Sequence, residues 1–519
     1  VHGAGAFEKV RCNVARIFFS LIVVLALTAA AAEAQDARAV LQAAAKNMGA
    51  DTLRTIEISG TGMNAAVGQS FAPGTDWPRF EVTSYTKTID YENRSSREQL
   101  TRRQGSYPPQ GGGGTPLQGE QQQHAVVSGN LAWNVNPQGM ANPAPGAAEV
   151  RQLDIWLTPH GFLKAALAQG ANPTAYTRTS QLPGGASRKV TVVSFTAPGG
   201  KYKVSGAIND QNLVEYVQTW IANPVLGDML YEIRYTQYRD FSGVKFPGDI
   251  HTHQGDQRLD EGHNSAQLTV KNVRVNPTVP AITAPDNVRN APAQAGTKAV
   301  SQKMADGVWY VGGAGANSVA VEFRDFVTVI ESPTNEERSI VVIDEVRRLV
   351  PTKPIRYLVN THHHFDHLGG IRTYVAEGAT IVTHTRNRDF YERVVFSPAP
   401  RTVQPDRLSM TPRAPVFETV NERYALSDGT RVLEIYAVPG LAHNQNMLIA
   451  YLPREKIVVE GDLFTPPAPG AAAPAVNASN RTFRETVQRL RLDIAQIASI
   501  HGRVASWDEF TKIFGPSTN

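Results

Sequence analysis

The sequence predicts a mostly antiparallel β domain followed by an α/β domain of layered sheets and helices. Three observations predict it. Between about residues 53 and 275, short runs such as "RFEVTSYTKTIDYEN", "MLYEIRYTQYRDF" and "AQLTVKNVRV" alternate apolar with polar residues between Gly, Asn, Asp and Pro turns, the pattern of a sheet with one wet face. At 275 to 296, "VNPTVPAITAPDNVRNAPAQAG" interrupts any period with prolines and small residues. Beyond 297, strand runs alternate with helical spacing, as in "SIVVIDEVRRLV" (339 to 350), "IRYLVN" (355 to 360), "GGIRTYVAEG" and "TIVTH". The chain therefore divides into a leader (1–34), a β-rich accessory domain (35–274), a linker (275–296) and an α/β domain (297–519).

The leader reads as an export signal. Lys9, Arg11 and Arg16 precede the apolar run "IFFSLIVVLALTAAAA" (17 to 32), and "AEA" before Gln35 fits a small-x-small cleavage site, with Ala34 the last residue removed. The run is short for a membrane span, so the expectation is a periplasmic or secreted protein with no stable span after cleavage. The one cysteine, Cys12, lies in the leader, and the mature chain has no thiol to report its compartment. The 51 Lys and Arg and 47 Asp and Glu are interspersed, for a formal net charge of +4. That balance gives no footprint for nucleic acid and points to a small-molecule partner.

In the accessory domain, helix patterns stand at 37–48 and near 155–169, and "YPPQGGGGTPLQGEQQQ" (107 to 123) reads as a flexible loop. "YTQYRDFSGVKFPGDI" (235 to 250) gives this part a loose similarity to the periplasmic lipoprotein-carrier fold, a curved antiparallel sheet with helices in its hollow. That similarity implies a hydrophobic ligand or a docking role. His251 and His253 share one strand face, but no third partner accompanies them, and they read as surface residues.

The chemistry concentrates in "VNTHHHFDHLGG" (359 to 370), which directly follows a short buried strand. His362 and His364, two apart on extended backbone, project to one side and can grip one ion; Asp366 and His367 follow as the chain turns, facing a neighbouring position. His363 points the other way and reads as packed or hydrogen-bonded. Three more candidates each follow a short apolar run: His443 in "VPGLAHNQN", Asp462 in "VVEGDLF" and His501 in "ASIHGRV". The set gives His362, His364 and His443 for one metal, Asp366, His367 and His501 for a second, and Asp462 bridging. Such nitrogen and oxygen donors suit two Zn2+ ions, with iron, manganese or cobalt as alternatives.

"THHHFDHLGG", followed in order by the later His, Gly-Asp and His, resembles the metallo-β-lactamase-fold hydrolases over about residues 300 to 515. The resemblance implies an αββα sandwich. Asp462 stands where cysteine-containing lactamases carry a thiolate, and His364 where flavodiiron-type members carry a glutamate, so the ligand set is most similar to glyoxalase II and lactonases. Glu331 in "VTVIESP" stands where family members often have an aspartate bracing the metal loop, and its longer arm puts that bracing in doubt. The implied chemistry is hydrolysis of an ester, lactone, thioester or β-lactam by a metal-bound hydroxide that Asp366 orients. Tyr451 is a candidate oxyanion donor, with core packing its alternative. The apolar loops at 464–480 and 397–415 are candidate pocket rims. Two other classes stay open: a mononuclear iron persulfide dioxygenase-like enzyme, and a non-catalytic hydrophobic-ligand carrier.

Overall fold

A computed structural model of the chain describes residues 37–181, 187–255, 263–292, 298–313, 316–397, 401–472 and 474–514. The stretch expected as an export leader, with Cys12, lies outside the described residues. Among those residues, no helix is long and apolar enough to cross a membrane.

The accessory domain is one antiparallel sheet of thirteen strands. Near its middle, strand Thr55–Ala65 pairs with Arg79–Asp90 on one side and with His263–Val275 on the other. Two wings of sequence-adjacent strands extend from that centre, one running through residues 95–143 and the other back from 254 to 174. Polar side chains set the turns. Asp90 Oδ1 accepts from the amides of Glu92 and Asn93 before Arg94 turns left-handed at φ 49°.

Helix 37–48 and the pair Ala148–Leu157 and Pro159–Leu167 fill the hollow of this sheet. The second of the pair starts because Thr158 accepts from the amide of Gly161 and Pro159 occupies the first helical turn. Leu153, Ile155, Leu157, Phe162 and Leu163 are buried beneath the sheet. Strand Lys203–Asn209 carries Gly206 where a Cβ would lie 2.6 Å from the Phe162 ring.

His160 is fully buried there, bonded to the Met48 carbonyl at 3.1 Å and stacked on Phe246. Burial pushes its pKa down to about 4. The folded protein therefore keeps this ring neutral while the unfolded chain protonates it below about 6.5, so stability falls as pH drops from about 6.5 towards 4. The full difference is about 3 kcal/mol. In His160→Gln, the melting temperature is expected to fall less steeply across that interval; an unchanged pH slope would refute the assignment.

The second domain is the αββα sandwich. A seven-stranded sheet begins with four antiparallel strands (Val300–Ala305, Val308–Gly312, Ser318–Glu322, Val327–Ile330). It continues with three parallel ones (Ile355–Val359, Thr380–His384, Phe417–Val420). A six-stranded sheet runs from Arg423–Ser427 to Val504–Ser506. The two close on one apolar layer that includes Val319, Ile330 and Val382 from the first and Leu433, Leu448 and Val459 from the second. Helices Glu336–Leu349 and Ile371–Ala376 cover the first sheet, Ala478–Leu490 and Trp507–Phe514 the second.

The stretch expected as a linker packs back on the accessory sheet, with Ala284 and Val288 buried against Val126 and Trp133. Two clamps join the domains. In the first, Arg401 donates to the carbonyls of Asn223, Pro224 and Val225 at 3.0 to 3.3 Å, and Thr402 and Val403 bond the Asp228 carboxylate. Residues 401 to 403 of the 397–415 loop, expected as a pocket rim, thus bond the accessory domain. The second clamp lies over the histidine motif.

Candidate metal centre

Strand Ile355–Val359 ends inside the sandwich, and residues 360 to 364 continue extended until His364 caps the short helix Phe365–Leu368. The helix can turn this tightly because Gly369 and Gly370 follow. A Cβ on the first would lie 2.0 Å from the Thr334 carbonyl, and one on the second 1.8 Å from Ser339 Oγ.

The structure brings all seven expected ligands together. Ligand atoms of His362, His364, His443 and Asp462 form one group, and those of Asp366, His367 and His501 another, with the members of each within 4.8 Å of one another. His362 Nε2 faces His364 Nδ1 at 3.0 Å, and His367 Nε2 faces His501 Nε2 at 3.0 Å. Asp462 lies between the groups. Its Oδ2 is 3.1 Å from Nε2 of both His362 and His367 and 2.8 Å from His443 Nε2, while its Oδ1 is 3.2 Å from His501 Nε2. Asp366 Oδ2 is 3.3 Å from His501 Nε2 and 3.6 Å from His367 Nε2.

Hydrogen bonds on the far side of several rings fix which nitrogen faces inward. His364 Nε2 donates to the Ser70 carbonyl at 2.9 Å, which leaves Nδ1 as the lone pair that points at His362. His367 Nδ1 donates to Glu331 Oε2 at 3.0 Å, leaving Nε2 for the interior. His362 Nδ1 lies 2.9 Å from Thr361 Oγ1, whose proton goes to Glu331 Oε2 at 2.5 Å. His443 Nε2 is buried and faces Asp462 Oδ2 at 2.8 Å. Inward lone pairs crowded round a shared carboxylate are what a pair of cations would satisfy, and the donors fit zinc.

Glu331 corrects the expectation from its length. It braces the motif, accepting from Asn360 Nδ2 at 2.9 Å and the Thr361 amide at 3.1 Å as well as from Thr361 Oγ1 and His367. Its backbone is left-handed at φ 75°, a conformation costing about 1 kcal/mol or more that these buried bonds offset.

Electrostatics follow burial and charge. Burial pushes His362 down to about 4 and His364 well below its ordinary value. Burial would also lower His367, but the carboxylates of Asp462, Asp366 and Glu331 outweigh it and raise that ring. Burial alone would raise Asp462; the His367 and His443 rings hold it well below the carboxylate range.

His363 is buried, as the sequence reading expected for a ring outside the ligand pair. Its Nδ1 accepts from Asn444 Nδ2 at 3.0 Å, and its Nε2 meets Ser70 Oγ at 3.1 Å. Tyr451 lies in the core under helix Ala478–Leu490, and its hydroxyl donates to the Asp493 carbonyl at 2.8 Å. The donor expected to serve an oxyanion is committed there. His251 and His253 lie on strand Asp249–Gln254, in none of the possible metal-holding groups among the described residues.

Sequence reasoning missed three contributors. Glu460, buried and pushed up to about 8 by burial, accepts from the amides of Leu463 and Phe464 and so shapes the turn carrying Asp462. An acidic residue closing the apolar run "IVVE" was its signal. Gln69 and Ser70 come from the accessory domain, between strands Thr55–Ala65 and Arg79–Asp90, and "VGQS" offers no signal.

Residues 311–501 match the model of the metallo-beta-lactamase superfamily. A metallo-beta-lactamase from Pontibacter korlensis is 18% identical, with 42% of this chain and 98% of that one covered, at a TM-score of 0.33. The FIM-1 metallo-beta-lactamase from Pseudomonas aeruginosa, in its mono-zinc form, is 22% identical over 41% and 92%, at a TM-score of 0.31. A flavodiiron protein from Giardia intestinalis is 19% identical over 41% and 57%, at a TM-score of 0.32. Among curated proteins, none matches the chain.

Proposed function

We propose, from the premise that the C-terminal domain belongs to the metallo-beta-lactamase superfamily, that the protein is an exported hydrolase with two zinc-class ions, acting on a small carbonyl substrate. The observation carrying this reading is the pair of ligand groups that share Asp462. When bound, two such ions activate water near neutral pH and polarise a carbonyl oxygen.

The chain's own residues supply the rest. His362, His364 and His443 hold the first position, and Asp366, His367 and His501 the second. The Asp366 side chain is 41% exposed, whereas those of His362 and His367 are fully buried, so Asp366 is the carboxylate that an incoming water reaches. The second group supports a dinuclear centre over a mononuclear iron site, which His362, His364, His443 and Asp462 alone would hold.

Residues 464 to 467 run beside His501 and form one wall of the approach. Gly502 would place a Cβ 3.2 Å from Pro466, and Arg503 donates to the Pro467 carbonyl at 2.8 Å. The wall is apolar, which suits an ester, lactone, thioester or β-lactam better than a highly charged substrate. The apolar leader at 17–32 supports export.

Elemental analysis of the purified protein is expected to return close to two zinc-class ions per chain, with hydrolysis of at least one member of a lactone, thioester, ester and β-lactam panel that chelation abolishes. No metal, and none taken up on reconstitution, would overturn the reading.

A further inference from the structure

The accessory domain reaches into the metal centre. Its segment 66–75 crosses the motif and is held there by backbone bonds. The Phe365 amide donates to the Gly68 carbonyl at 3.2 Å, and the Gln445 amide to the Phe71 carbonyl at 2.9 Å. A second accessory segment lies beside it, with the Gly111 amide bonded to the Ala442 carbonyl at 3.0 Å and the Gly112 amide to the Gln69 carbonyl at 2.9 Å. This is the glycine-rich stretch expected to be flexible, and it is anchored over the site.

Gln69 is clamped at both ends of its amide. Oε1 accepts from the Gly113 amide at 3.0 Å, which aims Nε2 at Asp366 Oδ1, 2.7 Å away. The other carboxylate oxygen, Oδ2, is the one facing His367 and His501. Meanwhile the Ser70 carbonyl holds His364 in the tautomer whose Nδ1 points inward.

We propose that the 66–75 segment of the accessory domain is a built-in positioning element of the metal centre. Gln69 fixes which oxygen of Asp366 faces the second metal position, and Ser70 fixes the donor nitrogen of His364 at the first. Gln69 is a positioning residue: it bonds Asp366, and Asp366 would hold the metal. The accessory domain is thereby part of the enzyme's chemistry, in addition to any ligand of its own. The inference rests on the two-ion hydrolase reading, and its test separates the two.

Outer partners of this kind change metal affinity by about tenfold to a hundredfold when removed. Gln69→Met keeps length and bulk and removes the donor. Gly112→Ala leaves Gln69 chemically intact but would put a Cβ 2.0 Å from its Oε1 and 2.8 Å from His364 Cε1, driving the amide from its seat. Zinc affinity of each position in the full-length protein is read by competition with a chromogenic chelator, alongside kcat and KM.

Gln69→Met is expected to weaken the second zinc ion about tenfold or more, to leave the first nearly unchanged, and to lower kcat more than it raises KM. Gly112→Ala is expected to weaken both ions, and it carries the test if Gln69→Met fails to fold. Wild type that binds two ions and turns over substrate, with second-ion affinity within twofold of wild type in both folded variants, overturns the inference alone. Wild type that takes up no zinc overturns the hydrolase reading and this inference with it.

Discussion

Asp366→Asn lowers hydrolysis about a hundredfold or more on every substrate the wild type accepts, and leaves the fold intact. The amide keeps the shape of the side chain but withdraws the charge that would hold the second ion and guide water towards the carbonyl. It also sets donor against donor wherever the new amide nitrogen takes the place of Oδ1, 2.7 Å from Gln69 Nε2, because an amide nitrogen has no free lone pair with which to accept. His363→Asn is the matched comparison. That ring bonds Ser70 Oγ and Asn444 but faces neither metal position, so its loss is expected to cost less than about tenfold, through loosened seating of the 66–75 segment. Steady-state kinetics on both variants, with circular dichroism as the check on folding, decide the matter. Full activity in Asp366→Asn would remove the dinuclear mechanism.

Glu331→Ala has the second large effect, on stability and metal affinity together. The carboxylate is fully buried and accepts from four donors: the Asn360 amide group, the Thr361 backbone and hydroxyl, and His367 Nδ1. Truncation leaves these donors without partners in a dry interior, a loss of about 3 kcal/mol or more. It also frees the His367 ring to turn or change tautomer, so zinc affinity is expected to drop about tenfold or more. Denaturant unfolding of the metal-free protein isolates the first effect, and chelator competition the second. A variant as stable as wild type without metal would show that the bracing bonds are weak.

The sandwich and the seven candidate ligands were legible because each rests on local pattern. Apolar runs mark the strands, and His and Asp residues at their ends are costly to keep in an interior without a task. The accessory sheet was legible in its strands but not in its closure, since nothing in "LRTIEISGTG" says that it pairs with "AQLTVKNVRV" about two hundred residues later. Glu331 was misjudged because side-chain length was weighed without its backbone, and a left-handed φ at a non-glycine residue cannot be read from sequence. Tyr451, a candidate oxyanion donor, stands close to His443 along the chain, but strand Leu448–Leu452 packs its ring with Phe483 and Val487 on the helix side of the sheet. Gln69 and Ser70 were invisible because their partners lie nearly three hundred residues away.

That same strand pairing has a consequence for how the chain is made. Among the described residues, Thr55–Ala65 is the first strand of its sheet to be synthesised, and one of its two neighbours, His263–Val275, is the last. Each wing can zip up as hairpins while the chain emerges, since its strands are joined by sequence-local turns. The seam between the wings must wait until residue 275 has appeared, and the 66–75 segment gains its partners in the second domain only after residues 360 to 445 have followed. Assembly is therefore ordered in time, and the candidate metal centre is completed only once both halves of the polypeptide are present.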